Sequence, residues 1–105
     1  MAVQKLSGAN RPFVRLRRNI LEYLYGLFKR YPYSSIELGE IAEFCQTSPE
    51  ELNWNIVYLE KHGWVELAKS IPCPPYVACS AGLTASGIDL IENAKEFNLR
   101  LPESG

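Results

Sequence analysis

The chain reads as a small, mainly helical fold carrying one β-hairpin, and three observations lead there. Apolar residues recur at helical spacing in several separate segments. Ser48-Pro49-Glu50-Glu51 combines a serine cap, a proline suited to a first helical position and a glutamate three residues after the serine, which is a strong helix start. "WVELAKS" alternates in the manner of a half-buried strand, and a stiff "IPCPP" turn joins it to "YVACSAG" as a returning one, as in a hairpin. The 105 residues suit one domain, and a hydrophobic content of 47% suffices for one packed core and argues against disorder. The expected organisation is a flexible lead-in at 1–9, one domain over 10–101 and a tail at 102–105.

The first helix is expected from Arg11, with Asn10 as cap and Pro12 at the first turn. Phe13, Leu16, Ile20, Leu24, Leu27 and Tyr31 line one face; Leu21, Tyr25 and Phe28 widen it. Such width predicts burial on two sides, by the rest of the domain or by a second subunit. Tyr31-Pro32 ends the helix, because a residue before proline avoids the helical region. Ser34 or Ser35 is expected to cap a short helix with Leu38, Ile41, Ala42 and Cys45 on its inner side, and Gln46-Thr47 to turn the chain. The helix opened by Ser48 then runs to about His62, with Leu52, Ile56 and Leu59 inward and Gly63 ending it in a left-handed conformation. Trp64 and Glu66 alternate with Val65 and Leu67 as the first hairpin strand, and "YVACSAG" is the returning one. Thr84 caps a last helix whose stripes are Ile88, Ile91 and Ala94, and Leu90, Ala94, Phe97 and Leu101; Pro102 stops it.

Helix, short helix, turn, helix, hairpin, helix is the winged helix-turn-helix order, and individual motifs resemble that superfamily. "EIAEFCQTSPEELNWNI" resembles a helix-turn-helix unit in which small Ala42 lets two helices approach, Cys45 and Leu52 pack between them, and Ile56 anchors the second helix. "YLEKHGWVEL" is similar to the "LxxxGxV" passage from recognition helix to first wing strand, here Leu59, Gly63 and Val65. "LTASGIDLIE" resembles the "LTxxGxxLIE" element of MarR-like and PadR-like regulators, here Leu83, Thr84, Gly87, Leu90, Ile91 and Glu92. Together these span roughly residues 11–98. The resemblance implies a DNA-binding transcriptional regulator, and the wide apolar faces of the first and last helices are expected to pair it as a homodimer. Two departures stand out. The turn carries Gln46 and Thr47 where a glycine and an apolar residue are usual, and the recognition helix and wing hold little Arg or Lys.

Charge is distributed unevenly beneath a net value of −1. Residues 1–35 hold seven Lys/Arg against one acid, whereas residues 36–66 hold seven Glu against one base, Lys61. Arg11, Arg15 and Arg18 share a helical face with Arg17 beside them. Positive charge near a helix start is mildly unfavourable, so phosphate binding is one explanation and pairing with the acidic middle is the other. On the helix from Ser48, the face opposite Leu52, Ile56 and Leu59 presents Glu50, Trp54, Val57 and Lys61, flanked by Asn53 and Tyr58. Asn53 suits adenine in the major groove; Ser48 and Lys61 suit phosphate. Glu50 and Glu51 repel the DNA backbone, although acids in a first turn also complement the helix dipole by about 0.3–1 kcal/mol each.

Two readings follow. In one, the partner is double-stranded DNA, contacted by Ser48, Asn53, Trp54 and Lys61, with Arg11, Arg15, Arg17 and Arg18 on phosphates. In the other, the scaffold docks a protein through Trp54, Val57, Tyr58 and an uncharged wing tip with Ile71 and Tyr76, since tryptophan is favoured at binding hot spots. A cytoplasmic location is expected: no apolar run suits a signal peptide, and prolines and glycine break the uncharged stretch between Lys69 and Asp89 too often for a membrane span. Cys45, Cys73 and Cys79 are then expected as free thiols, with oxidation of Cys73 and Cys79, which flank the wing tip across the hairpin, as the alternative. One histidine, His62, and no CxxC spacing argue against a metal site, no cofactor is implied, and no nucleophile or phosphate-loop motif suggests an enzyme.

Overall fold

The computed structural model describes residues 2–103, with side chains from Phe13 onward. Among the described residues there are five helices and three strands: α1 (Ala2–Arg30), β1 (Ile36–Glu37), α2 (Leu38–Cys45), α3 (Pro49–Lys61), β2 (Val65–Ala68), β3 (Ser80–Leu83), α4 (Ala85–Glu92) and α5 (Ala94–Arg100). The predicted order holds, with four local corrections.

First, α1 starts earlier than expected: its backbone is helical from Ala2, and Pro12 lies within the helix. Second, neither Ser34 nor Ser35 caps α2. Residues 36 and 37 form β1, and Glu37 occupies the cap position without a side-chain bond. Third, the last helix breaks at Asn93. Its side chain accepts from the Glu96 N–H and starts α5, which leaves Ala94 exposed instead of in an inner stripe. Fourth, Cys73 and Cys79 are disulfide-bonded, not free; the hairpin brings their Cα atoms to 5.2 Å, inside the range such a bond spans.

β3 is the central strand, antiparallel to both neighbours in the order β1-β3-β2. Val65 pairs with Leu83 and Ala68 with Ser80, while Ile36 pairs with Ala81. The small sheet closes one side of a core formed by Ile20, Leu21 and Leu24 of α1, Leu38 and Ile41 of α2, Leu52, Ile56 and Leu59 of α3, and Phe97 of α5. Tyr31, expected at the end of the α1 stripe, is exposed just past the helix.

The glycine of the "LTASG" element has a steric reason. A Cβ on Gly87 would collide with the Trp64 backbone carbonyl, so α4 rests directly on the entry to β2. Thr84 secures the same junction: its hydroxyl donates to the Gly63 carbonyl and accepts from the Gly87 N–H. Gly63 itself has φ 79°, the left-handed conformation a helix-ending glycine adopts without a Cβ penalty.

Candidate nucleic-acid or protein interface

The candidate site is the outer face of α3 with the wing beside it. The helix starts as its sequence dictates. Ser48 Oγ accepts from the Glu51 N–H at 3.1 Å, and Pro49 takes the first helical position. The capping box closes differently from expectation, because the Glu51 carboxylate accepts from the Thr47 hydroxyl at 3.2 Å. Gln46 supplies the left-handed residue of the turn, with φ 55°, at the place where glycine is usual. Its N–H and that of Thr47 reach back to carbonyls of α2, so the turn is tight despite the missing glycine.

The rotational phase of α3 matches the helical spacing of its apolar residues. Leu52, Ile56 and Leu59 are fully buried, while Glu50 and Lys61 are exposed and Trp54 is 58% exposed. Val57 and Tyr58 are half-buried against the core, which leaves them poorly suited to the partner-contact role expected of them.

Asn53 is not free to read a base. Its Nδ2 donates to the Pro75 carbonyl at 2.9 Å, and its Oδ1 accepts from the Val77 N–H at 2.9 Å. Both ends of the amide are consumed by the wing loop. On that loop Ile71 is 67% exposed, whereas Tyr76 is half-buried and its ring lies over Gly39 of α2. Trp54 and Ile71 are therefore the predicted protein-contact residues that face solvent.

The arginines expected to act together are separated. Arg18 is buried: it donates to Glu22 at 3.0 Å, to Asn98 Oδ1 at 2.8 Å and to the Leu101 carbonyl at 2.7 Å, with its guanidinium over the Phe97 ring. It ties α5 to α1 and has no spare face for a phosphate. Arg17 stacks 3.6 Å from the Tyr58 ring centre and donates to Asn55 Oδ1 at 2.7 Å. Burial lowers its affinity for a proton, an effect that the neighbouring Tyr58 opposes. Arg15 alone of these three is exposed, at a shallow cleft it shares with Gln46, Thr47 and Glu51 beside the start of α3. The Arg11 side chain lies outside the described residues.

Asn55 was missed by the sequence reading. It is almost fully buried, donating to the Glu51 carbonyl at 2.7 Å while accepting from Arg17. Its place between Leu52 and Ile56 on the inward face was the available signal, because a buried amide requires partners. His62, at the end of α3, has an exposed ring that stacks on Trp64 at 4.1 Å and meets Tyr58 edge-on. Burial first, then Arg100 and Arg17, hold its pKa below the ordinary value.

Among the described residues no group of three or more His, Cys, Asp or Glu is placed to hold a metal, and no helix is long and apolar enough to cross a membrane. No protein-family model matches the chain, and no curated protein shows significant sequence similarity to it. The fold, by contrast, has a solved counterpart. A crystal structure of S. aureus MepR in DNA-binding conformation superposes with a TM-score of 0.59 over 93% of this chain and 75% of that one, at 17% identity. The architecture is thus a winged helix of the kind MarR-like regulators have.

Proposed function

We propose, from the winged-helix fold, that the chain is a small DNA-binding regulator that lays the outer face of α3 on double-stranded DNA. The observation carrying this is the display of α3: its leucine–isoleucine side is sealed in the core while Glu50, Trp54 and Lys61 stand exposed beside a wing, in a fold shared with a protein solved in a DNA-binding conformation. The contact set is narrower than the sequence suggested. Ser48, Arg15 and Lys61 are exposed donors for phosphate, and Trp54 lies on the same outer face. Arg17 and Arg18 serve the fold instead. The test is binding to random duplex at about 20 mM salt, where the Debye length is roughly 20 Å, followed by a salt titration. Binding that weakens steeply with salt supports the reading; no detectable binding at the lowest salt overturns it. Arg15→Ala should lower affinity uniformly across sequences and flatten the salt slope by about one phosphate contact.

A homodimer accompanies this reading, formed through the apolar surface left on α1 and the last helix. Leu99 is 75% exposed, and Tyr25, Leu27 and Phe28 are only half-buried. A monomeric mass by light scattering at working concentration would remove it.

One observation favours a second reading, in which the same surface binds a protein: exposed Trp54 on α3 and exposed Ile71 on an uncharged wing tip. Loss of a captured partner on Trp54→Ala, with folding intact and no DNA binding by either form, would establish that reading over the first.

A further inference from the structure

The wing carries chemistry that neither reading uses. The Cys73–Cys79 bond closes a ring over residues 73–79. Both groups that hold Asn53, the Pro75 carbonyl and the Val77 N–H, lie inside that ring. Within it the Tyr76 N–H donates to the Cys73 carbonyl at 2.8 Å, and at its end the Cys79 N–H donates to the Ala68 carbonyl at 3.0 Å. The ring is therefore fastened to the hairpin on one side and to α3 on the other. Among the described residues, Asn53 supplies the side-chain hydrogen bonds between α3 and the ring.

We propose that Cys73 and Cys79 form a reversible thiol–disulfide site, and that its state sets whether the Asn53 amide is held by the wing or presented on the outer face of α3. A closed ring has few conformations, so two hydrogen bonds suffice to hold it against the helix. Opening the ring restores freedom to the loop, and the same two bonds must then offset a larger loss of chain entropy. The loop is reachable, since Ile71, Pro72, Pro74, Pro75 and Val77 are all exposed. A released Asn53 amide is the group that pairs two-fold with adenine in the major groove. That consequence rests on the DNA-binding reading; the clamp itself does not.

The exchange balances without any resident cofactor. A dithiol reductant attacks one cysteine sulfur as its thiolate, the S–S electron pair leaves on the other sulfur, and that sulfur takes a proton. The reductant's second thiol then displaces the first cysteine as a thiol, closing a cyclic disulfide on the reductant. In reverse, oxidised glutathione exchanges with the two thiols to give the protein disulfide and two reduced glutathiones. The third cysteine does not compete. Cys45 is half-buried, and burial pushes its thiol up to about 11, so it stays protonated at neutral pH.

The test follows amide exchange by NMR in the full chain, equilibrated with oxidised glutathione and then with dithiothreitol. Acid-quenched and then unfolded for counting, the oxidised chain should show one free thiol, that of Cys45, and the reduced chain three. Reduction should speed exchange of the Val77 N–H about tenfold or more and move the Asn53 side-chain signals toward those of a free amide. The Cys73→Ser/Cys79→Ser chain should show the reduced values whether or not reductant is present. Three free thiols under oxidised glutathione, or Val77 exchange indifferent to redox state, overturns the proposal.

A second arm measures duplex DNA at low salt. The reduced chain should bind about fivefold or more tighter than the oxidised chain, with the difference absent in Asn53→Ala. A redox response at Val77 with no DNA binding in either state supports the clamp and overturns the DNA-binding reading. Equal DNA binding in both states, despite that response, overturns the presentation of Asn53.

Discussion

Asn53 and Asn55 sit two positions apart on α3 and hold opposite sides of the molecule. Asn53 faces the wing from a partly exposed position and grips backbone groups of a disulfide-closed loop. Asn55 faces α1 from an almost fully buried position and grips Arg17 together with the carbonyl of its own helix at Glu51. The residue type is the same, but what each contributes differs. Water stands ready to replace the partners of Asn53, so its bonds are modest and reversible. No water replaces those of Asn55, so losing that amide strands the groups around it. The comparison separates the side of α3 that can change state from the side that holds it still.

The largest break in that contrast comes from Asn55→Ala. It removes the amide that orients the Arg17 guanidinium and leaves a small void, so the chain should lose about 2–3 kcal/mol, read as a lower urea midpoint with unchanged slope. Arg18→Ala belongs to the same rigid side. It leaves the buried Leu101 carbonyl without its donor and should cost about 2 kcal/mol in the same titration. Asn53→Ala should cost less, about 1 kcal/mol, because alanine's better helix propensity offsets part of the two lost hydrogen bonds. A larger loss for Asn53→Ala than for Asn55→Ala would invert the comparison.

The smallest expected effect is one of pH. The folded pKa of His62 lies below its unfolded value near 6.5, so the unfolded chain takes up the proton first. The stability His62 supports is therefore complete above pH 6.5 and declines as pH falls below it. His62→Gln should flatten that part of the stability–pH profile; an unchanged slope would show that His62 is not its source.

How much of this was legible in the sequence depended on the range of the interaction. α3 could be placed because Ser48, Pro49 and Gly63 act on their immediate neighbours, and because Leu52, Ile56 and Leu59 repeat at the helical period. The inward and outward faces of α3 followed from that spacing. β1 was not legible: two residues form a strand there only because β3 arrives alongside them. The break at Asn93 could have been foreseen, since asparagine is a good cap and Glu96 follows three residues later.

The candidate site was read less well than the fold, and for the same reason. The "RPFVRLRR" segment looked like one basic surface because a helical wheel records direction and not what stands opposite. Arg17 meets Asn55 across 38 residues of chain, and Arg18 meets Leu101 across 83. Asn53 meets Pro75 across 22. No local pattern encodes those distances.

By itself, then, the sequence determined the helices that carry their own start and stop residues, the phase of α3 and the turn into the hairpin, because each rests on backbone preferences and periods within a few residues. Tertiary structure alone decided which polar groups remain free on that helix and which arginines reach solvent. Those outcomes depend on elements far apart in the chain being packed against one another, and packing is where a side chain's partners are chosen.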